Sequence, residues 1–261
     1  PVNLLLESNL SNDTMLAWGW RVPFLLSAIL VVVGLVVRER MSETPVFQKA
    51  LKEDRVVKAP LKELCKHWKQ VVLGTCAMGV TYTLFYILGT WSLSYGEKTL
   101  GYSHVQFLGM QMVSIFFFAA FIVVGCLQAD KRGRKSVLLF TTVLTAVFSF
   151  FSPALLGTAQ TTTVLGVMVF LCLGFVLMGG LFGPCGAYLP ELFPANVRYS
   201  GAGLAYNLAS ILGGAFAPTI ATYLVTEYGI MALGWYLGGM SVLALVALLL
   251  IKESKDMDYE A

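Results

Sequence analysis

Charge is nearly absent from seven stretches of about twenty residues each, at 16–37, 71–93, 105–127, 136–156, 164–185, 200–225 and 230–251. A helix rises ~1.5 Å per residue, so roughly 20 apolar residues cross the ~30 Å hydrocarbon core of a bilayer. Each stretch therefore predicts one membrane-spanning helix. The sharpest polar interruption is Ala129-Asp130-Lys131-Arg132-Gly133-Arg134-Lys135, with four cations, one carboxylate and a glycine set between two of the spans. So short an interval predicts a tight turn between antiparallel helices.

The longest polar interval, 38–69, holds nine Lys or Arg against five acids. Thr44-Pro45 reads as an N-cap followed by proline at the first helical position, with Val46, Phe47, Ala50 and Leu51 on one face. A second short helix from Pro60 would present Leu61, Leu64 and Trp68. This basic connector separates residues 1–37, a polar lead and one span, from residues 70–251, six spans joined by short turns; residues 252–261 form a tail. Residues 1–15 carry no Lys or Arg, which suits an external loop. Trp18 and Trp20 belong at headgroup level, Pro23 fits the first helical turn, and Arg21 reads as a snorkelling interfacial cation.

Alternating the spans puts sixteen of the eighteen Lys and Arg on one side, leaving only Arg21 and Lys98 on the other. Basic segments resist translocation, so residue 1 is expected outside, with the connector, the charged turn and the C-terminus in the cytoplasm. Composition agrees with a multi-pass membrane protein: 57% hydrophobic, 13% charged, mean hydropathy +0.75. The net charge of +3 follows topology and forms no nucleic-acid stripe. Cys65, Cys76, Cys126, Cys172 and Cys185 are scattered and mostly apolar in setting, which suits packing rather than disulfides. His67 and His104 have no ligand partner at metal-binding spacing, there is no Gly-x-x-x-x-Gly-Lys-Ser/Thr loop, and no nucleophile stands with a base. Neither an enzyme nor a metal or other cofactor is expected. With no initiator Met and no signal peptide, the chain is read as a fragment that starts mid-protein.

Seven spans with an external start leave two readings open. One is a complete seven-helix receptor or sensor. The other is the tail of a longer carrier, in which the last helix of an amino-terminal bundle leads through the connector into a six-helix bundle. No span holds a lysine placed for a retinal Schiff base or an Asp-Arg-Tyr switch, which favours the carrier.

Specific motifs point the same way. Asp130-x-x-Gly133-Arg134-Lys135 resembles the loop motif of the major facilitator superfamily, although Gly125 stands five residues before Asp130 where the family loop has a glycine at four. Pro190-Glu191-Leu192-Phe193-Pro194-Ala195-Asn196-Val197-Arg198 resembles the signature of its sugar-porter-like members, and Gly19-Trp20-Arg21-Val22-Pro23 with Glu43-Thr44-Pro45-Val46-Phe47 resembles the metabolite:proton symporter branch. The resemblance implies an all-α polytopic helix bundle comprising spans six to twelve of a twelve-span carrier in a bacterial inner membrane. It also implies symport of a small organic acid or zwitterion with protons, by alternating access. The partners it implies are a small solute, protons, lipid and the upstream spans.

The resemblance also assigns roles. Asp130, Arg134, Glu191 and Arg198 would form a cytoplasmic charge network, Asp130 facing the start of the helix near Ser200 and the arginines facing Glu191. The polar residues within spans include Thr81, Tyr82, Thr83, Tyr86, Gln111, Ser114, Tyr206, Asn207 and Ser210. Tyr82, Tyr86, Gln111 and Asn207 are the substrate-cavity candidates, each also readable as an interhelical hydrogen bond or an interfacial aromatic. Gly174, Gly179, Gly180, Gly183 and Gly186, then Gly201, Gly203, Gly213 and Gly214, read as close packing or as rocking points, and Pro218 as a kink. No Asp, Glu, Lys, Arg or His lies deep in the six later spans, so a proton-coupling group is expected upstream of this chain.

Overall fold

A computed structural model describes residues 2–40, 63–194 and 196–251. Among these residues every regular element is helical, and seven helices are long and apolar enough to cross a membrane. The chain divides into two compact units, Pro1–Val56 and Val57–Ala261. The short helix expected near Thr44, the start of the one expected from Pro60, and the tail lie outside the described residues; of that second helix's expected face, Leu64 is buried and Trp68 exposed.

The first unit holds α1 (Val2–Asn9), α2 (Asn12–Ala17) and α3 (Val22–Arg40). Residues 1–15, expected as a loop, are thus largely helical. The Leu4-Leu5-Leu6 run favours a helix, and Ser11 accepts a bond from the Thr14 N–H to start α2. Arg21 lies over the Trp20 ring, 4.5 Å from its centroid, and donates to the Ala17 carbonyl, so the cation is held at the mouth of α3. From Phe24 onward the apolar side chains of α3 are exposed, as suits a lipid-facing span.

The second unit contains six spans. The first joins α4 (Trp68–Tyr86), a π-helical turn Ile87–Trp91 and α5 (Ser92–Lys98). Then come α6 (His104–Arg132), α7 (Arg134–Leu156) and α8 (Val164–Glu191). The fifth span joins α9 (Arg198–Ser210), a second π-helical turn Ile211–Ala215 and α10 (Ala217–Tyr228), and α11 (Met231–Leu250) closes the unit. Local sequence sets the ends. A reciprocal Ser103/Gln106 capping box opens α6, and Thr163 caps α8 by accepting from the Gly166 N–H. Gly133, at φ +91°, makes the whole turn between α6 and α7, a backbone conformation that a side chain would strain.

Lipid gives apolar helices no hydrophobic reason to associate, so close van der Waals approach must hold them. Glycines supply it at three crossings. A Cβ on Gly179 or Gly183 of α8 would stand 2.7 Å from the Phe118 carbonyl oxygen or 2.6 Å from that of Ile122, on α6. Gly125 of α6 packs on the Gly180 backbone from the other side, which assigns this glycine to the crossing and not to the turn. On α11, a Cβ at Gly234 would stand 2.5 Å from the Ser149 carbonyl oxygen of α7. A Cβ at Gly213, in the second π turn, would stand 2.2 Å from the Gly79 carbonyl oxygen of α4. The α7 hydroxyls of Thr141, Thr142 and Thr145 donate back to carbonyls one turn earlier and so stay satisfied in the core.

Not every glycine does this work, because Gly186 and Gly203 face open space. Gly183→Ala should lower stability by about 1–3 kcal/mol through overpacking, whereas Gly186→Ala should be neutral or gain up to ~1 kcal/mol of helix propensity. Thermal unfolding in detergent checks this: a Gly183→Ala protein that melts at or above the Gly186→Ala protein contradicts the crossing.

Candidate functional site

Two clusters gather the polar residues of the second unit. The first lies at the end of the bundle that carries the charged turn. Gly133 stops α6, and Arg134 begins α7 facing the last turn of α8, where its guanidinium forms an ion pair with the Glu191 carboxylate. Both side chains are largely covered, Arg134 at 32% exposure and Glu191 at 17%. An acid at the C-terminal end of a helix meets a like partial charge, so the arginine offsets both that repulsion and the loss of water. A pair at this depth is worth roughly 1–2 kcal/mol, between the exposed and buried extremes.

The loop after Glu191 is packed, not loose. Leu192, Phe193 and Val197 are buried, and the Phe193 ring sits so close to α9 that a Cβ on Gly201 would lie 2.4 Å from it. Arg198 opens α9 and donates through Nε to the Phe193 carbonyl at 3.3 Å, bracing this loop. Asp130 departs from expectation. Its side chain is exposed, no hydrogen bond or ion pair holds it among the described residues, and α9 opens at Val197 with no side-chain cap. The turn places Asp130 on the last turn of α6, exposed, and its carboxylate does not cap the start of α9. Lys135 was missed in the sequence. It reaches the Ile251 carbonyl at the end of α11, a cation on unsatisfied C-terminal carbonyls, and only the tertiary fold brings the two together.

The second cluster lies where α4 meets α9. The Tyr82 ring packs edge-on against Tyr206, with centroids 5.3 Å apart and planes at 84°. One turn on, Tyr86 lies over Gly214 in the second π turn, close enough that a Cβ there would stand 2.5 Å from its ring. Thr75 donates to the Ala205 carbonyl at 3.4 Å and ties the same two helices about two turns earlier on α4. Both Tyr82 and Tyr206 are half-buried. Phenol hydroxyls can donate to a carboxylate, and ring faces attract cations, so the pair offers contacts to either end of a small zwitterion.

The other two cavity candidates make no hydrogen bond to this pair among the described residues. Asn207 is exposed and donates to the Gly203 carbonyl of its own helix at 2.7 Å. Gln111 is buried on α6, and its amide nitrogen reaches the Leu88 carbonyl at 2.7 Å, the Gly89 carbonyl at 3.0 Å and the Ser92 hydroxyl at 3.3 Å. No hydrogen bond joins it to Tyr82 or Tyr86 among the described residues. It braces the first π turn, where the interrupted ladder leaves carbonyls in need of a donor. Tyr206 was visible in the sequence among the in-span polar residues, but nothing in its spacing marked Tyr82 as its partner. Among the described residues no group of three His, Cys, Asp or Glu is placed to hold a metal.

The family model described as Major Facilitator Superfamily matches residues 14–211 and 112–259. The "Inner membrane metabolite transport protein YhjE" of Escherichia coli (strain K12) is 45% identical over 258 residues, covering 97% of this chain and 58% of that protein. A "Putative metabolite transport protein" of Haemophilus influenzae is 38% identical over 261 residues, covering 95% and 59%. The "Citrate-proton symporter" of Klebsiella pneumoniae is 29% identical over 251 residues, covering 94% and 54%. The chain therefore spans little more than half the length of these relatives. No solved structure matches it significantly.

Gln111→Leu should cost about 1–2 kcal/mol, since it removes the side-chain donor to the Gly89 carbonyl and one of the two to the Leu88 carbonyl, the other being the Ser92 hydroxyl. Chemical or thermal unfolding of the purified protein measures this; an unchanged midpoint would remove Gln111 from its bracing role.

Proposed function

Since this chain belongs to the major facilitator superfamily, we propose that it forms the last span of one bundle and the complete second bundle of a secondary transporter. The solute is a small organic acid or zwitterionic metabolite, and protons drive its entry. Residue 1 faces outward and the charged turn faces the cytoplasm of a bacterial cell, where sixteen of eighteen cations then lie. The names of the relatives, which include a citrate-proton symporter and a proline/betaine transporter, support the solute class.

The observation that carries this reading is the Arg134–Glu191 pair. It ties the α6/α7 turn to the end of α8, so opening that end to the cytoplasm requires the pair to separate. Alternating access needs such a contact, formed in one state and broken in the other. Asp130 and Arg198 extend the network in the state where this end opens. The solute sits against Tyr82, Tyr86 and Asn207, with Gln111 holding the wall. The in-span polar groups of α4 to α11 are hydroxyls, phenols, amides and thiols, which supports a coupling carboxylate or histidine in the upstream spans.

The test is uptake of labelled citrate and glycine betaine by the full-length carrier in vesicles under an imposed proton gradient. Arg134→Glu and Glu191→Arg should each lower uptake roughly tenfold, about 1.4 kcal/mol, and the double variant should recover a large part. Wild-type rates in both single variants, or a double variant no better than either, would refute the latch.

A further inference from the structure

The opposite end of the six-helix unit holds a cavity of mixed apolar and polar lining that neither cluster uses. Its volume is about 420 Å³, within the range of small-molecule sites. It lies between the ends of the two interrupted spans, α5 on one side and α10 on the other, beside the loop that follows α7. Its floor is the Trp91–Tyr95 pair, stacked at 4.8 Å with planes 16° apart and almost fully buried. The Tyr95 hydroxyl donates to the Gly157 carbonyl at 3.0 Å, which fixes this floor to the α7/α8 loop. The walls carry hydroxyls, among them Ser94, Thr99 and Thr226, and one cation, Lys98, while the Thr222 hydroxyl is turned to the Pro218 carbonyl of its own helix.

Charge decides what such a cavity takes. Lys98 is exposed at the rim and makes no ion pair or hydrogen bond among the described residues. No acid lines the cavity. Glu97, next to Lys98, is turned to His104 at the start of α6, and Glu227, next to Thr226, is exposed and outside the lining. An entering anion therefore meets an uncompensated ammonium and hydroxyl donors. A single compact ammonium with no arginine fork suits one carboxylate better than a dianionic phosphate. The flat aromatic floor suits a small apolar remainder.

We propose that this cavity is a binding site for a monocarboxylate, with Lys98 holding the carboxylate and the Trp91–Tyr95 stack holding the apolar part. The site is distinct from the Tyr82–Tyr206 cluster, and it does not depend on the transport reading, because it is read out by binding alone.

The experiment uses the full-length protein in phosphatidylcholine nanodiscs, with Trp91 retained as the fluorescent reporter and every other tryptophan, Trp18, Trp20, Trp68 and Trp235 among them, changed to Phe. The titrants are cyclohexanecarboxylate and its uncharged amide. The carboxylate should change Trp91 emission saturably and bind about fivefold tighter than the amide. Lys98→Gln should remove that difference and Lys98→Arg should keep it, with unchanged melting temperatures certifying the fold. Equal binding of acid and amide, or an acid preference that survives Lys98→Gln, would overturn the assignment. So would a preference abolished by phosphatidylglycerol in the discs, which would give the site to a lipid headgroup.

Discussion

A backbone N–H or C=O left without a partner in hydrocarbon costs several kcal/mol, and lipid supplies no water to satisfy it. Continuous helices meet that constraint in α6, α7, α8 and α11, each of which runs for twenty residues or more. The first and fifth spans of the unit break the regular ladder instead, at Ile87–Trp91 and Ile211–Ala215. Irregular backbone survives at this depth only where protein covers it or where it lines a water-filled space. Each break is covered on one side: Gln111 donates to the first, and the second lies backbone to backbone against α4 at Gly79, while Gly89, Thr90, Ile211, Leu212 and Ala215 stay exposed.

That constraint also distributes the small residues. Helices that carry no apolar driving force toward one another are held by close contact, so glycine stands where α8 crosses α6, where α11 crosses α7 and where the second π turn meets α4. The first two crossings join continuous helices and make a rigid frame. The third joins the two interrupted spans, and the Tyr82–Tyr206 pair sits beside it. The bundle thus sets its aromatic pair at the junction of its two bendable spans, while the Arg134–Glu191 pair fastens one end of the frame.

Much of this was legible in the chain itself, because a bilayer imposes a simple rule on length and polarity. All seven spans and the Gly133 turn follow from runs of uncharged residues and one glycine among cations. The Arg134–Glu191 pairing was also accessible, since the turn and the Pro190-Glu191 segment fall at the same end once the spans alternate. The two π turns were less accessible. Gly213, Gly214 and Pro218 hinted at the second, but Ile87-Leu88-Gly89-Thr90-Trp91 reads as an ordinary span, and its irregularity depends on a glutamine twenty residues away. Asp130 and Lys135 show the same limit from the other side. Two charges five residues apart across one short turn go to unlike surroundings, one exposed and one on the end of α11, and sequence spacing alone does not distinguish them.

Amide hydrogen exchange of the full-length protein in lipid nanodiscs, resolved by peptide, tests most directly that the first and fifth spans are the ones built to bend. Amides within 87–91 and 211–215 should exchange measurably faster than those of 111–125 and 138–150, because each interrupted turn opens at lower free energy than a continuous helix buried in lipid. Equal protection across all four segments would contradict the account.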